Sequence, residues 1–198
     1  MTRYAALIGF QRCGTHMVGG AVDSHPDAVY TNEIFYRLAV RTSAERDAIL
    51  ARWAQDTRLV FLDVKLNQIT PVIEDFLRTI PVISIYRRDR LRHYYSGELH
   101  HYRHAQNAGK RVRELTKFKL DENRLKALDR RVTHLYDRYL YLSQLQLIYE
   151  DITQNTHVTA FSEELSVQIC AVLGLSARVL TTRTVKQAPQ EIGGLLAK

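Results

Sequence analysis

Three short apolar runs constrain this chain most: Tyr4–Phe10 (YAALIGF), Leu59–Val64 (LVFLDV) and Val82–Tyr86 (VISIY). A strand with one wet face alternates polar and apolar residues, whereas these runs stay apolar on both faces and are bounded by loop signals. They read as strands buried on both sides of a parallel sheet, with Leu145–Tyr149 as a weaker fourth. Helical spacing fills the intervals, over Met17–Ser24, Ser43–Gln55 with Ser43 as its cap, Ile73–Thr79 and Arg90–Gln106. Strand alternating with helix is the pattern of an α/β fold, here expected to be three-layered around a mostly parallel sheet.

The second half reads as helical. Leu125, Leu128, Val132, Leu135, Tyr139 and Leu142 recur every three or four residues and form a core-facing stripe. A last helix is expected over Phe161–Leu173, stopping at Gly174. No repeat, low-complexity tract or Pro, Gly or Ser-rich linker divides the sequence, so residues 1–198 are expected to form a single domain. With 45% hydrophobic and 25% charged residues, four prolines and nine glycines, composition excludes collagen-like and disordered chains. No apolar run approaches the roughly 20 residues of a membrane helix. Cys13 and Cys170 make no disulfide framework, and Met1–Leu7 runs into a strand with no signal-peptide pattern, so the expected compartment is a reducing cytoplasm.

The formal charge of +7 is uneven. Residues 87–134 hold 14 Lys and Arg against 6 Asp and Glu, a net of +8, together with five of the eight histidines. Such a segment is either a solvated helical face or a surface for something anionic: nucleic acid, a membrane or a phosphorylated small molecule.

Between the first strand and its helix lies Gly9-Phe10-Gln11-Arg12-Cys13-Gly14-Thr15-His16, whose glycines have the G-x-x-x-x-G spacing of a phosphate-binding loop. In that context backbone amides and the positive end of the helix dipole converge on an anion. A nucleotide triphosphatase would place Lys and then Ser or Thr next, for the terminal phosphates and magnesium. Here Thr15 and His16 follow, and the cation sits inside the loop at Arg12. Asp63, near the end of its strand, is the only acidic stand-in for a magnesium partner, and the loop hydroxyl it would need is missing.

Gln11 to His16, followed by Ser24-His25-Pro26 and Asn32-Glu33, resembles the 5′-phosphosulfate loop of sulfotransferases, commonly Pro-Arg/Lys-Ser-Gly-Thr-Thr, a helix, His-Pro and an acidic residue. In that family an Arg at a later strand end and a Ser eight residues on grip the 3′-phosphate of 3′-phosphoadenosine 5′-phosphosulfate. Arg88 and Ser96 match that spacing. Asp63 to Gln68 is similar to the Val-Lys-Leu segment of bacterial carbohydrate sulfotransferases of the trehalose and nodulation-factor type. Tyr149 to Ile152 is similar to the segment that ends their last core strand, and Val185-Lys186-Gln187 to their C-terminal Lys-Gln. Departures are Gln11 for proline, Cys13 for serine and His16 for threonine.

The resemblance implies a P-loop-like fold and transfer of a sulfuryl group from that donor to a hydroxyl of a carbohydrate or other small acceptor, without a metal. It implies a donor site of Gln11, Arg12, Cys13, Gly14, Thr15, His16, Arg88 and Ser96, with Arg183 and Lys186 closing over it. Glu33 would be the general base, with His16 as the alternative base or a phosphate contact. Arg12 would serve the leaving side, and Lys65 would steady the transferring group unless it is an ordinary solvated strand-end lysine. Cys13 would pack and not attack.

Two other classes stay open on the sequence. A nucleic-acid module would use residues 87–134, with Tyr94, Tyr95 and Tyr102 as stacking groups, and leaves the loop unexplained. A kinase-like enzyme would lack its loop lysine. His100 and His104 have the i, i+4 spacing of two metal ligands, with His101 between them, but the sequence supplies no third ligand.

Overall fold

A computed structural model describes residues 3–36, 39–107, 121–154 and 158–182, the side chains of 101–107 excepted. Five strands form a parallel sheet: β1 (Arg3–Gly9), β2 (Ala28–Glu33), β3 (Leu59–Lys65), β4 (Val82–Tyr86) and β5 (Leu145–Ile148), in the order β2-β3-β1-β4-β5. Among the described residues seven α-helices accompany them: α1 (Thr15–Val22), α2 (Ser43–Leu50), α3 (Pro71–Leu77), α4 (Arg90–Asn107), α5 (Glu122–Tyr139), α6 (Tyr149–Thr153) and α7 (Glu163–Leu173). This is the expected α/β architecture, with helices on both faces of the sheet.

Alternation along β1 builds the two faces. Ala5 and Leu7 pack with Val18 and Ala21 of α1 and Ile169 and Leu173 of α7. Ala6 and Ile8 pack on the opposite side with Ile73 and Leu77 of α3 and Val132 and Tyr139 of α5. Every residue of β3 is buried, which is why Leu59–Leu62 is unbroken by polar residues and why Asp63 and Lys65 lie buried at its end.

Four local readings change. Residues 28–33, which the sequence assigns to no element, form the edge strand β2. Only one of its neighbours is a strand, so AVYTNE needs little apolar character. The cap of α2 is Thr42, not Ser43: its side chain accepts the Glu45 amide while Glu45 reaches back to the Thr42 amide. Tyr149 to Ile152 starts helix α6, since β5 ends at Ile148. Finally, the stripe on α5 includes Tyr136, buried between Val132 and Tyr139, whereas Leu125, Leu128 and Leu135 are only partly covered. As expected, Gly174 ends α7, with φ 62°.

Because all strands run the same way, Gly9, Glu33, Lys65 and Tyr86 end at one edge of the sheet, with Gly9 opposite Lys65 and Glu33 opposite Asp63. The connection after β1 leaves through α1 toward one face, while those after β3 and β4 return through α3 and α5 on the other. Diverging connections leave a crevice at the carboxyl ends of the strands beside β1.

Candidate active site

The loop between β1 and α1 turns sharply. The Cys13 amide donates to the Phe10 carbonyl at 3.3 Å, Arg12 takes φ 65° and Gly14 takes φ 105°. Residues of positive φ next to residues of negative φ are the backbone pattern that turns successive amides toward an anion. Gly14 also caps α1, whose first turn receives no side-chain cap from it. The glycine is required twice, for its φ and because a Cβ there would lie 2.5 Å from the Tyr149 ring.

Beside the loop, Lys65 and Asp63 of β3, Glu33 of β2 and Thr15 of α1 form a largely buried polar cluster. Lys65, 1% exposed, places Nζ 2.7 and 2.8 Å from the two Asp63 carboxylate oxygens and 2.5 Å from Thr15 Oγ1. Glu33 Oε1 lies 3.8 Å away from the same ammonium, and Gln68 Nε2 donates to Glu33 Oε2 at 3.4 Å. Lys65 is therefore no solvated strand-end lysine. The Tyr30 hydroxyl donates to Asp63 Oδ2 at 2.5 Å, so both Asp63 oxygens are engaged by protein groups. Burial and the Asp63 charge push the Tyr30 phenol far above its usual range. Its ring lies where a Cβ on Gly19 would be 2.1 Å away, so α1 needs glycine there to admit it.

His16 stands 3.5 Å from the Tyr30 hydroxyl through Nδ1. Burial first, then Lys65, lowers its pKa, so its imidazole is neutral at pH 7. Cys13 is fully buried, and burial pushes its thiol up to about 11, which suits packing and not attack. Gln11 Nε2 donates to Asn67 Oδ1 at 2.7 Å, tying the loop to the turn after β3.

On the other side of the loop, Arg12 Nε donates to Ser96 Oγ of α4 at 3.3 Å. The fold thus brings Ser96 to Arg12, while Arg88, its expected partner, turns to Asp151 in an exposed ion pair. Arg183 and Lys186 lie outside the described residues. Arg87 and His93, which the sequence reading passed over, both hydrogen-bond to the loop's backbone. The one sequence signal was their place, at and just after a strand end facing the loop.

Tyr94 and Tyr95 are buried, packed edge to face at 5.8 Å, and offer no stacking surface to a nucleic acid. The side chain of Tyr102 lies outside those described. Arg90, Arg92, Arg124 and Lys126 of the basic segment pair with Asp129, Asp89, Glu98 and Glu122. Among the described residues no three His, Cys, Asp or Glu side chains gather as a metal site, with His101 and His104 outside that set. Nor, among the described residues, is any helix long and apolar enough to cross a membrane.

No protein-family model matches the sequence, and no match is found among curated proteins. A solved structure does resemble this one: a sulfotransferase from Alicyclobacillus acidocaldarius, 13% identical, superposes with a TM-score of 0.59 over 100% of this chain and 91% of that one. The fold is one that a sulfotransferase uses. At this identity the likeness concerns architecture, and what the site does has to be argued from its residues.

Proposed function

We propose that the chain transfers a sulfuryl group from 3′-phosphoadenosine 5′-phosphosulfate to a hydroxyl of a carbohydrate or other small acceptor. One observation carries this reading: an anion-binding loop bearing its own cation, Arg12, lies beside a carboxylate, Glu33, that is held at the same edge of the sheet by Lys65 and Gln68. The donor supplies a sulfur already activated by its bond to a phosphate, so the protein need only align the reactants and stabilise charge.

In this reading the loop amides and Arg12 hold the 5′-phosphate and take up negative charge as its bond to sulfur breaks. Glu33 accepts the proton of the acceptor hydroxyl as the new oxygen–sulfur bond forms. Its side chain is 25% exposed, enough to meet a substrate from solvent. Lys65 holds Glu33 and Thr15 in place from beneath. His16, neutral and beside Tyr30, is the alternative base. Ser96 and Arg88 take the 3′-phosphate. Arg88 must leave Asp151 to do so, and an exposed ion pair resists that by only about 0 to 1 kcal/mol.

The test is a screen of hydroxylated sugars, lipids and phenols with labelled donor, followed by single-turnover rates of Glu33→Gln. With Glu33 as base the rate falls by roughly 10² to 10⁴ while donor affinity holds. A rate within threefold of the parent removes Glu33 from that role.

A further inference from the structure

Arg12 is a non-glycine residue with φ 65°, a conformation that persists only where the surroundings over-determine it. The peptides on either side of it are each held from outside the loop. Arg87, the residue after β4, donates from Nη1 to the Arg12 carbonyl at 3.2 Å. His93, in the first turn of α4, sets Nε2 2.6 Å from the Gln11 carbonyl. Both side chains are buried, at 7% and 2% exposure. Each is also fixed by its own packing: the Arg87 guanidinium lies 4.7 Å over the Tyr149 ring and 3.9 Å from Glu150, and the His93 ring meets Phe10 edge to face at 5.7 Å.

We infer that Arg87 and His93 are positioning residues that hold two consecutive carbonyls of the anion loop and thereby keep Arg12 in its left-handed conformation. In a trans peptide the carbonyl and the following amide point opposite ways, so anchoring the Gln11 and Arg12 carbonyls orients the Arg12 and Cys13 amides. A carbonyl only accepts, so the His93 proton sits on Nε2 and Nδ1 is bare; that nitrogen is buried with no hydrogen-bond partner among the described residues, as is Arg87 Nε. Among the described residues, the hydrogen bond each of these side chains makes goes to the loop backbone, while their other contacts fix the side chains themselves. The holding of the loop follows from this geometry alone, whereas its consequence for donor binding rests on the function proposed above.

The experiment compares His93→Phe, which keeps a ring but no donor, His93→Gln, which restores an N–H, and Arg87→Met. Two readouts are taken: backbone amide spectra of the ligand-free protein, and the affinity for adenosine 3′,5′-bisphosphate. The expected result is displaced Arg12, Cys13 and Gly14 amide signals in His93→Phe and Arg87→Met, affinity at least tenfold weaker, and recovery of both in His93→Gln. Unmoved loop amides in the folded variants overturn the inference. Displaced amides with unchanged affinity, where the parent binds the bisphosphate, overturn the consequence for donor binding. If the parent binds no bisphosphate while the amides still move, the donor reading fails and the positioning role stands. Should the variants not fold, the parent decides by itself: a nitrogen spectrum with Nε2 protonated and Nδ1 bare supports the contact, and the reverse tautomer overturns it.

Discussion

Lys65 Nζ meets Thr15 Oγ1 at 2.5 Å, joining the last residue of β3 to the first residue of α1 beneath the anion loop. Register sets this up. Gly9 pairs with Lys65, so the chain leaving β1 passes directly beside the lysine before α1 begins. The same ammonium neutralises Asp63, which is 0% exposed and has Tyr30 as its other partner.

Lys65→Met should therefore cost about 3 to 5 kcal/mol, because Asp63 is left as a buried charge with a single hydroxyl donor. Adding Asp63→Asn should recover a substantial part of that loss. Denaturant unfolding of the single and double variants measures both values, and a loss below about 1 kcal/mol in the single variant would contradict the buried ion pair.

Gly14→Ala should damage the loop more than an ordinary surface substitution does. The φ of 105° and a Cβ 2.5 Å from the Tyr149 ring act together, for an expected cost of about 1 to 3 kcal/mol. Gly97, with no atom within 4 Å of a built Cβ and no positive φ, is the control, and Gly97→Ala should not destabilise. Melting temperatures of the two variants separate the cases.

Stability should fall on mild acidification because of His93. Burial, against the opposing effect of the Gln11 hydrogen bond and with Arg87 and Arg90 nearby, lowers its pKa from about 6.5 to about 4; Glu150 is the acidic group facing it. Between those values the unfolded chain binds a proton that the folded one refuses. Stability is thus lost as pH falls from 6.5 toward 4, by at most about 1.4 kcal/mol per pH unit for this group. His16, lowered in the same direction, adds to the slope. Unfolding free energies of parent and His93→Gln across that range give the difference, which should narrow as pH falls.

How far the sequence discloses this architecture depends on where each residue's partners lie. β1, β3 and β4 are legible because central strands buried on both faces are apolar over most of their length. β2 is not, since an edge strand tolerates Thr31, Asn32 and Glu33. Arg12 stands out through the glycine spacing of its loop, Lys65 through its place after an apolar strand and Glu33 only through the family resemblance, and register brings Lys65 and Glu33 together. Tyr30, Arg87, His93 and Tyr136 do not stand out, because each acts on a residue 33 or more positions away: Asp63, Arg12, Gln11 and Phe10. Nothing in a local pattern separates such a side chain from an ordinary aromatic or cation on an amphipathic helix.

On the function proposed above, the loop and its neighbours bind a nucleotide bearing both a 5′-phosphate and a 3′-phosphate. Calorimetric titration of adenosine 3′,5′-bisphosphate against AMP tests it most directly. One charge-assisted hydrogen-bond partner contributes about 1.5 to 3 kcal/mol, so the bisphosphate should bind roughly 10- to 150-fold more tightly, and Arg88→Ala should remove most of that advantage. Arg12→Ala should weaken both ligands while leaving the melting temperature nearly unchanged. Equal affinity of the parent for the two nucleotides, or no binding of either, would contradict the account.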